Sequence, residues 1–242
     1  MADGVHVVDL GASRVMTSLP GLVRYLRRER PLAMLSALNH ANVVAAAARR
    51  LARVPTRLVV SEQNTPTPSL GNANFLRDRW MAHFMRWAYP QVDGVVAISK
   101  GVANDLALVI GLEREGIEVV YNPIDISHVT TLSKRPLQHP WYIERSLPLI
   151  VAAGRLTRQK DYPMLLHAFA LVRAHRPLRL IILGEGEARG ELEALVRKLG
   201  LGDDVAMPGF VDNPFAWMRR SSLYVLSSAW EGFGNVLVEA MA

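Results

Sequence analysis

The chain has 242 residues, 50% of them hydrophobic, and a formal net charge of +6, which is enough apolar material for two modest domains or one large one. It has no cysteine, which excludes disulfides and thiolate zinc sites, and its seven histidines fall in no H-E-x-x-H or comparable ligand spacing, so no metal and no cofactor is expected. No run approaches the roughly 18 uncharged apolar residues of a spanning helix, and the first residues lack the layout of a secretion signal, which predicts a soluble, cytoplasmic protein.

Short β-branched runs recur along the chain: VHVVDL (5–10), LAMLSAL (32–38), RLVVSE (57–62), GVVAIS (94–99), IEVVYN (117–122), LIVAAG (149–154), LRLIILG (178–184) and SLYVLSS (222–228). Helical periods lie between most of them. This alternation predicts an α/β protein with parallel sheets covered by helices on both faces and ligands at the carboxyl ends of the strands. Between the first runs, residues 20–31 gather Arg24, Arg27, Arg28 and Arg30, which can face anionic lipid or water. Residues 77–90 set Arg79, His83 and Arg86 at helical spacing beside Trp80, Phe84 and Trp87. That face suits a membrane surface, although an aromatic stripe of this kind is more often packed into a core.

The rhythm breaks after Asn122, where Pro123, Pro136, Pro140 and Pro148 accompany little helical period. The expected layout is a partial N-terminal domain over 1–122, a linker region over 123–147 and a partial C-terminal domain over 148–242. The last residues, Glu239-Ala-Met-Ala, stand inside a helical pattern with no stop signal, which leads us to expect both domains to be incomplete.

Charge is unevenly placed. Residues 1–100 hold 13 Lys/Arg against 6 Asp/Glu, and residues 101–242 hold 15 against 16. A basic first part suits a phosphate-bearing substrate or an acidic membrane face, or is an ordinary basic surface. No zinc finger or aromatic RNA-binding stretch accompanies it, so nucleic acid is not an expected partner.

Three segments carry chemistry. In GRLTRQKDYPMLLHAFA (154–170) a strand gives way to Gly154, Arg155 and Lys160 ahead of a helix, which is either anion-binding architecture or a basic loop at a helix start. In SSAWEGFGNVLVEAMA (227–242), Glu231 and Glu239 flank a turn with Gly232 and Gly234, and a helix from Asn235 would offer its first amides to phosphate. Glu231 would face a sugar and Glu239 ribose hydroxyls, unless they are a loop glutamate and a solvated helix glutamate. In IILGEGEARGELEALVRKLGL (181–201), Gly184 and Gly186 follow a strand and either admit a nucleotide or make a tight βα turn. Gly209-Phe210-Val211 in MPGFVDN (207–213) either lines a base or forms a buried turn.

In order, GRLTRQKDYPMLLHAF, ILGEGEARGELE, DDVAMPGFVDNPFAWM and LSSAWEGFGNVLVEAMA resemble glycosyltransferase family 4, retaining enzymes of GT-B fold. LSALNHANVVAA, VSEQNTP, VVAISKGVANDL and VVYNPID extend the resemblance upstream to about Pro31. It implies two Rossmann-like domains and transfer, without a metal, from a nucleotide-diphosphate sugar (UDP-linked) to a glycan or polyprenyl-linked acceptor at the cytoplasmic membrane face.

By position it makes Arg155, Lys160 and Glu231 catalytic, the first two neutralising the leaving diphosphate. It makes Gly154, Gly184, Gly186, Val211, Gly232, Phe233, Gly234, Asn235, Val236 and Glu239 donor-binding. Retention by front-face attack is likewise implied by the family. Gln63 stands where many relatives have histidine, and an amide cannot take a proton. Acceptor candidates, at or after strand ends of the first domain, are Asn39, His40, Asn42, Gln63, Asn64 and Thr65. The alternatives are a GT-B phosphorylase or sucrose-synthase-like enzyme, or an inactive donor-binding fragment.

Overall fold

In the computed structural model the described residues are 4–67, 75–144 and 146–242, without the side chains of 75–79. They divide into two compact units, Met1–Asn122 and Pro123–Ala242. In the first, β1 (Ala33–Ala37), β2 (Arg57–Glu62), β3 (Gly94–Ala97) and β4 (Ile117–Val119) form one parallel sheet in chain order. Helices described within it include α1 (Leu19–Glu29), α2 (Asn39–Ala52), α3 (Phe75–Ala88) and α4 (Lys100–Ile110). α2 is rich in alanine on its buried side, so Ala48 and Ala52 let Leu26 of α1 pack closely against it. Ser99 starts α4 by accepting a hydrogen bond from the Val102 N–H (3.1 Å).

The second unit opens with α5 (Ile126–Ser133) and α6 (Pro140–Glu144), followed by β5 (Leu149–Ala153), α7 (Tyr162–Arg173), β6 (Arg179–Leu183), α8 (Arg189–Lys198), β7 (Val205–Gly209), α9 (Phe215–Arg220), β8 (Leu223–Tyr224) and α10 (Asn235–Met241). Its four parallel strands lie in the order β7-β6-β5-β8. Both faces are covered: Leu180 and Ile182 pack with Leu166, Phe169 and Leu192, while Ile181 and Leu183 pack with Val151, Tyr142, Trp217 and Met218. This is why, after Arg179, the strand is apolar at every position over 180–183 and does not alternate.

Three expectations are corrected, and one strand the sequence did not reveal is added. Residues 5–10 form no strand: Val5, Val7 and Val8 are exposed, and alternation alone does not make a strand where no partner pairs with it. The stretch 123–147 is no open linker but carries α5 and α6, with Tyr142 buried and donating its hydroxyl to the Trp217 carbonyl (2.9 Å). β7 was concealed by Pro208, which an edge strand tolerates at the irregularity in register between Ile181 and Leu183. Trp80, Phe84 and Trp87 are 62%, 40% and 40% exposed, while Met85 and Ala88 face the interior, so the aromatic stripe is not core. The side chain of Arg79, expected on that stripe, lies outside the described residues. Among the described residues no helix is long and apolar enough to cross a membrane.

Candidate functional site

The order β7-β6-β5-β8 reverses between β5 and β8, and in open parallel sheets the crevice at such a reversal, beyond the carboxyl ends of the strands, is where ligands lodge. At these carboxyl ends a cavity of about 450 Å³ is bordered by Gly154 and Arg155 after β5, Gly184 and Glu185 after β6, Phe210 and Val211 after β7, Pro214 just before α9, Met218 of α9, and Val236 and Glu239 of α10. Burial raises the Glu239 carboxyl above the ordinary carboxylate range.

Beside it, Lys160 and Glu231 form an ion pair with Nζ 2.5 Å from Oε1, and Ser228 Oγ donates to the same oxygen at 2.7 Å. The turn carrying Lys160 is laced to the segment carrying Glu231. Ser227 Oγ donates to the Lys160 carbonyl (2.6 Å), Gln159 Nε2 to the Trp230 carbonyl (3.1 Å), and the Ala229 N–H to the Gln159 carbonyl (2.9 Å). Asp161, in the left-handed region at φ 43°, ends this turn and caps α7 through the Met164 N–H. A Cβ on Gly154 would lie 2.9 Å from Lys160 Cε and 3.1 Å from Tyr162 Oη, so this glycine makes room for the lysine stem crossing toward Glu231. Burial, with the Tyr224 and Glu231 charges adding, pushes the Tyr162 phenol well up, and it stays protonated.

The glycines after β6 have a different use. Gly184 sits at φ 132°, and a Cβ there would lie 2.0 Å from the Gly154 carbonyl oxygen. One on Gly186 would lie 2.4 Å from the Leu156 carbonyl oxygen. The two βα loops pack backbone against backbone, and of the pair only Gly184 also borders the cavity. Gly232, Phe233, Gly234 and Asn235 do not border it; they form the turn into α10, with Gly234 left-handed at φ 71°.

In the first unit the acceptor candidates gather at the carboxyl end of the sheet. The Leu38 N–H donates to the Ser61 carbonyl (3.3 Å), tying the start of α2, with Asn39 and His40, to the end of β2. Asn39 Oδ1 accepts from the His40 N–H (2.7 Å), Gln63 Nε2 donates to Ser61 Oγ (2.7 Å), and Asn64 Oδ1 accepts from the Thr65 N–H (3.0 Å). Asn42 is wholly buried.

Sequence reasoning gave no role to Glu185, Pro214 or Met218 at the cavity, nor to Ser228. It also passed over Glu62, which ends β2, is 3% exposed and accepts from Tyr89 Oη at 2.7 Å. Its signal was a charged residue closing an apolar strand run. Burial pushes its carboxyl up to about 7 against the opposing hydrogen bonds from Tyr89 and the Gln63 backbone. Among the described residues no three His, Cys, Asp or Glu side chains gather as metal ligands.

Comparison with known proteins follows this geometry. Residues 3–128 match the family model described as Glycosyltransferase Family 4, and residues 138–242 that of Glycosyl transferases group 1. The chain is 33% identical over 85% of its length to the N-acetylgalactosamine-N,N'-diacetylbacillosaminyl-diphospho-undecaprenol 4-alpha-N-acetylgalactosaminyltransferase of Campylobacter jejuni, of which it spans 53%. It is 35% identical over 52% of its length to an uncharacterized glycosyltransferase of Methanocaldococcus jannaschii, of which it spans 31%. In fold it is similar to Anabaena Alr3699/HepE solved with UDP-glucose, at a TM-score of 0.74 and 24% identity over 93% of this chain and 60% of that one. Its two halves are therefore Rossmann-like units of GT-B type. Matched in both halves, the chain belongs to the group 1 and family 4 glycosyltransferases.

Proposed function

We propose that the protein transfers a sugar from a nucleotide-diphosphate donor, UDP-linked, to a glycan or polyprenyl-linked acceptor, with retention and without a divalent ion. The observation that carries this reading is the Lys160–Glu231 pair standing next to the cavity that holds Arg155 and Glu239, at the reversal of the second sheet. Glu239 accepts from ribose hydroxyls, and Val211 and Phe210 border the base. Lys160 exchanges Glu231 for the diphosphate, which Arg155 also grips, so that two cations carry the charge developing on the leaving group. The released Glu231 then meets a hydroxyl of the transferred sugar.

Two relatives support the donor and acceptor classes: the Anabaena protein was solved with UDP-glucose, and the Campylobacter enzyme is named for a diphospho-undecaprenol substrate. The exposed Trp80, Phe84 and Trp87 of α3, and Arg24, Arg27 and Arg28 grouped with Leu19 and Val23 of α1, support peripheral contact with an anionic membrane at its cytoplasmic face. The test is transfer from UDP-glucose in the presence of EDTA, with the product's anomeric configuration read by NMR. An α-linked product formed in EDTA agrees with the proposal, and a β-linked product or strict metal dependence overturns it.

A further inference from the structure

The carboxyl end of β2 holds an acid that the donor site leaves unused. Glu62 is held by a chain of three bonds from two elements: Tyr89 Oη, in the 3-10 turn Tyr89–Gln91 after α3, donates to its Oε2 (2.7 Å), Asn42 Nδ2 of α2 donates to Tyr89 Oη (3.0 Å), and the same amide donates to the Ser61 carbonyl (3.0 Å). Tyr89 is 1% exposed and Asn42 0%. Asn42 Oδ1 has no partner among the described residues, so the amide is oriented by its donors; flipped, it would set oxygen against the Ser61 carbonyl. Burial, then the Glu62 charge and its hydrogen bond, keep the Tyr89 phenol protonated, so its proton is there to donate to the ionised Glu62.

On the outer side the carboxylate takes the Gln63 N–H, the first amide of the turn Gln63–Thr65. Gln63 and Asn64 then close that turn on Ser61 Oγ and the Thr65 N–H. A group that served packing alone would be better neutral, because ionising a carboxyl at this depth opposes folding.

We propose that Glu62 is a positioning residue of the acceptor side, whose ionised carboxylate clamps the Gln63–Thr65 turn to the buried Tyr89–Asn42 pair and whose protonation releases it. The proposal rests on the acceptor reading of that turn. As a carboxylate, Glu62 makes charge-assisted bonds to both Tyr89 and Gln63; protonated, it offers one weakened acceptor and a donor, and the tether to Gln63 weakens. Among the described residues few charges stand near it. The neighbouring strands end in Ala37 and Ala97, α2 brings Asn42 and, at its start, His40, and α4 brings Lys100 and Asp105, whose carboxylate takes the Thr67 N–H (2.8 Å).

The experiment compares the chain with Glu62→Gln, which keeps size and hydrogen bonding but not the charge. Hydrogen exchange at the Gln63 amide is followed from pH 5.5 to 8.5. Transfer to a synthetic polyprenyl-diphosphate-linked N-acetylgalactosamine is measured over the same range. The expected result is at least tenfold loss of Gln63 protection in Glu62→Gln at pH 8, a raised acceptor KM with an unchanged donor KM, and loss of the rise in acceptor kcat/KM near pH 7.

Unchanged protection in Glu62→Gln overturns the clamp, and a rise in acceptor kcat/KM near pH 7 that persists in Glu62→Gln overturns the assignment of the proton. Lost protection with an unmoved acceptor KM overturns the acceptor reading of the turn instead, leaving the donor site untouched.

Discussion

Lys160 Nζ lies 2.5 Å from Glu231 Oε1 although the two residues are 71 positions apart, and that carboxylate oxygen is also held by Ser228. The lysine is thereby neutralised until something more anionic arrives. A diphosphate must outbid one carboxylate, which makes the two partners' variants differ in sign. Lys160→Ala should weaken UDP binding about 10- to 100-fold, the worth of a charge-assisted hydrogen bond of ~1.5–3 kcal/mol. Glu231→Gln should bind UDP as well as or better than the parent while slowing sugar transfer. Calorimetric titration of both variants with UDP checks this, and a weakened Glu231→Gln would show that the pair assembles the phosphate site and does not compete with it.

Glu239 borders the cavity from α10 with its carboxyl raised by burial. If it accepts from ribose, Glu239→Ala should lose about tenfold in affinity for UDP and for UMP alike, as expected for ~1.4 kcal/mol in the nucleoside half. The 2'-deoxy analogue of UDP should bind less tightly than UDP to the parent and equally to the variant. Fluorescence competition measures all six affinities.

Gly184 and Gly186 are explained by the loops they touch. Gly184→Ala sets a methyl into the Gly154 carbonyl and Gly186→Ala into that of Leu156, and neither obstacle is a flexible side chain. Each should cost at least about 2 kcal/mol, which for a chain of this size lowers Tm by at least roughly 4 °C. Calorimetric melts check this; Gly190→Ala, where a Cβ meets nothing within 4 Å, is the neutral comparison.

Much of this was legible beforehand, and the failures have physical causes. β6 announced itself because residues 180–183 are apolar at every position, as a strand buried on both faces must be, and Gly154, Arg155 and Lys160 could be placed after β5 from their order alone. β7 could not be read because Pro208 interrupts it and only edge pairing tolerates that. α5 and α6 were hidden by Pro136 and Pro140 and by their own shortness. Pairing between Lys160 and Glu231, and the burial of Glu62 on Tyr89, depend on which strands are neighbours, which periodicity does not encode.

Glu62 also makes a stability prediction. Its folded pKa of about 7 lies above the 4.5 of the unfolded chain, so the folded protein holds the proton more tightly. The stabilisation is therefore fully present below pH 4.5 and is lost as pH rises through about 7. At pH 8 the buried charge costs on the order of 3 kcal/mol, and Glu62→Gln should be more stable than the parent by up to that amount, with little difference at pH 4.5. Urea unfolding at the two pH values checks the sign.

On α3 and α1, Trp80→Ser with Trp87→Ser, or Arg24→Glu with Arg27→Glu, should each lower sedimentation with vesicles of anionic phospholipid at least fivefold. Neither pair should change Tm by more than roughly 2 °C, since these side chains are exposed or border an open surface groove. Unchanged sedimentation in both pairs would remove this face from membrane contact.

The most direct measurement is calorimetric titration of UDP, in EDTA, into the chain and its Arg155→Ala and Lys160→Ala variants. A bound diphosphate gripped by both side chains requires binding by the parent without metal and at least tenfold weaker binding by each variant. Equal affinity in all three proteins would mean that the cavity at the reversal of the second sheet is not where the diphosphate is held.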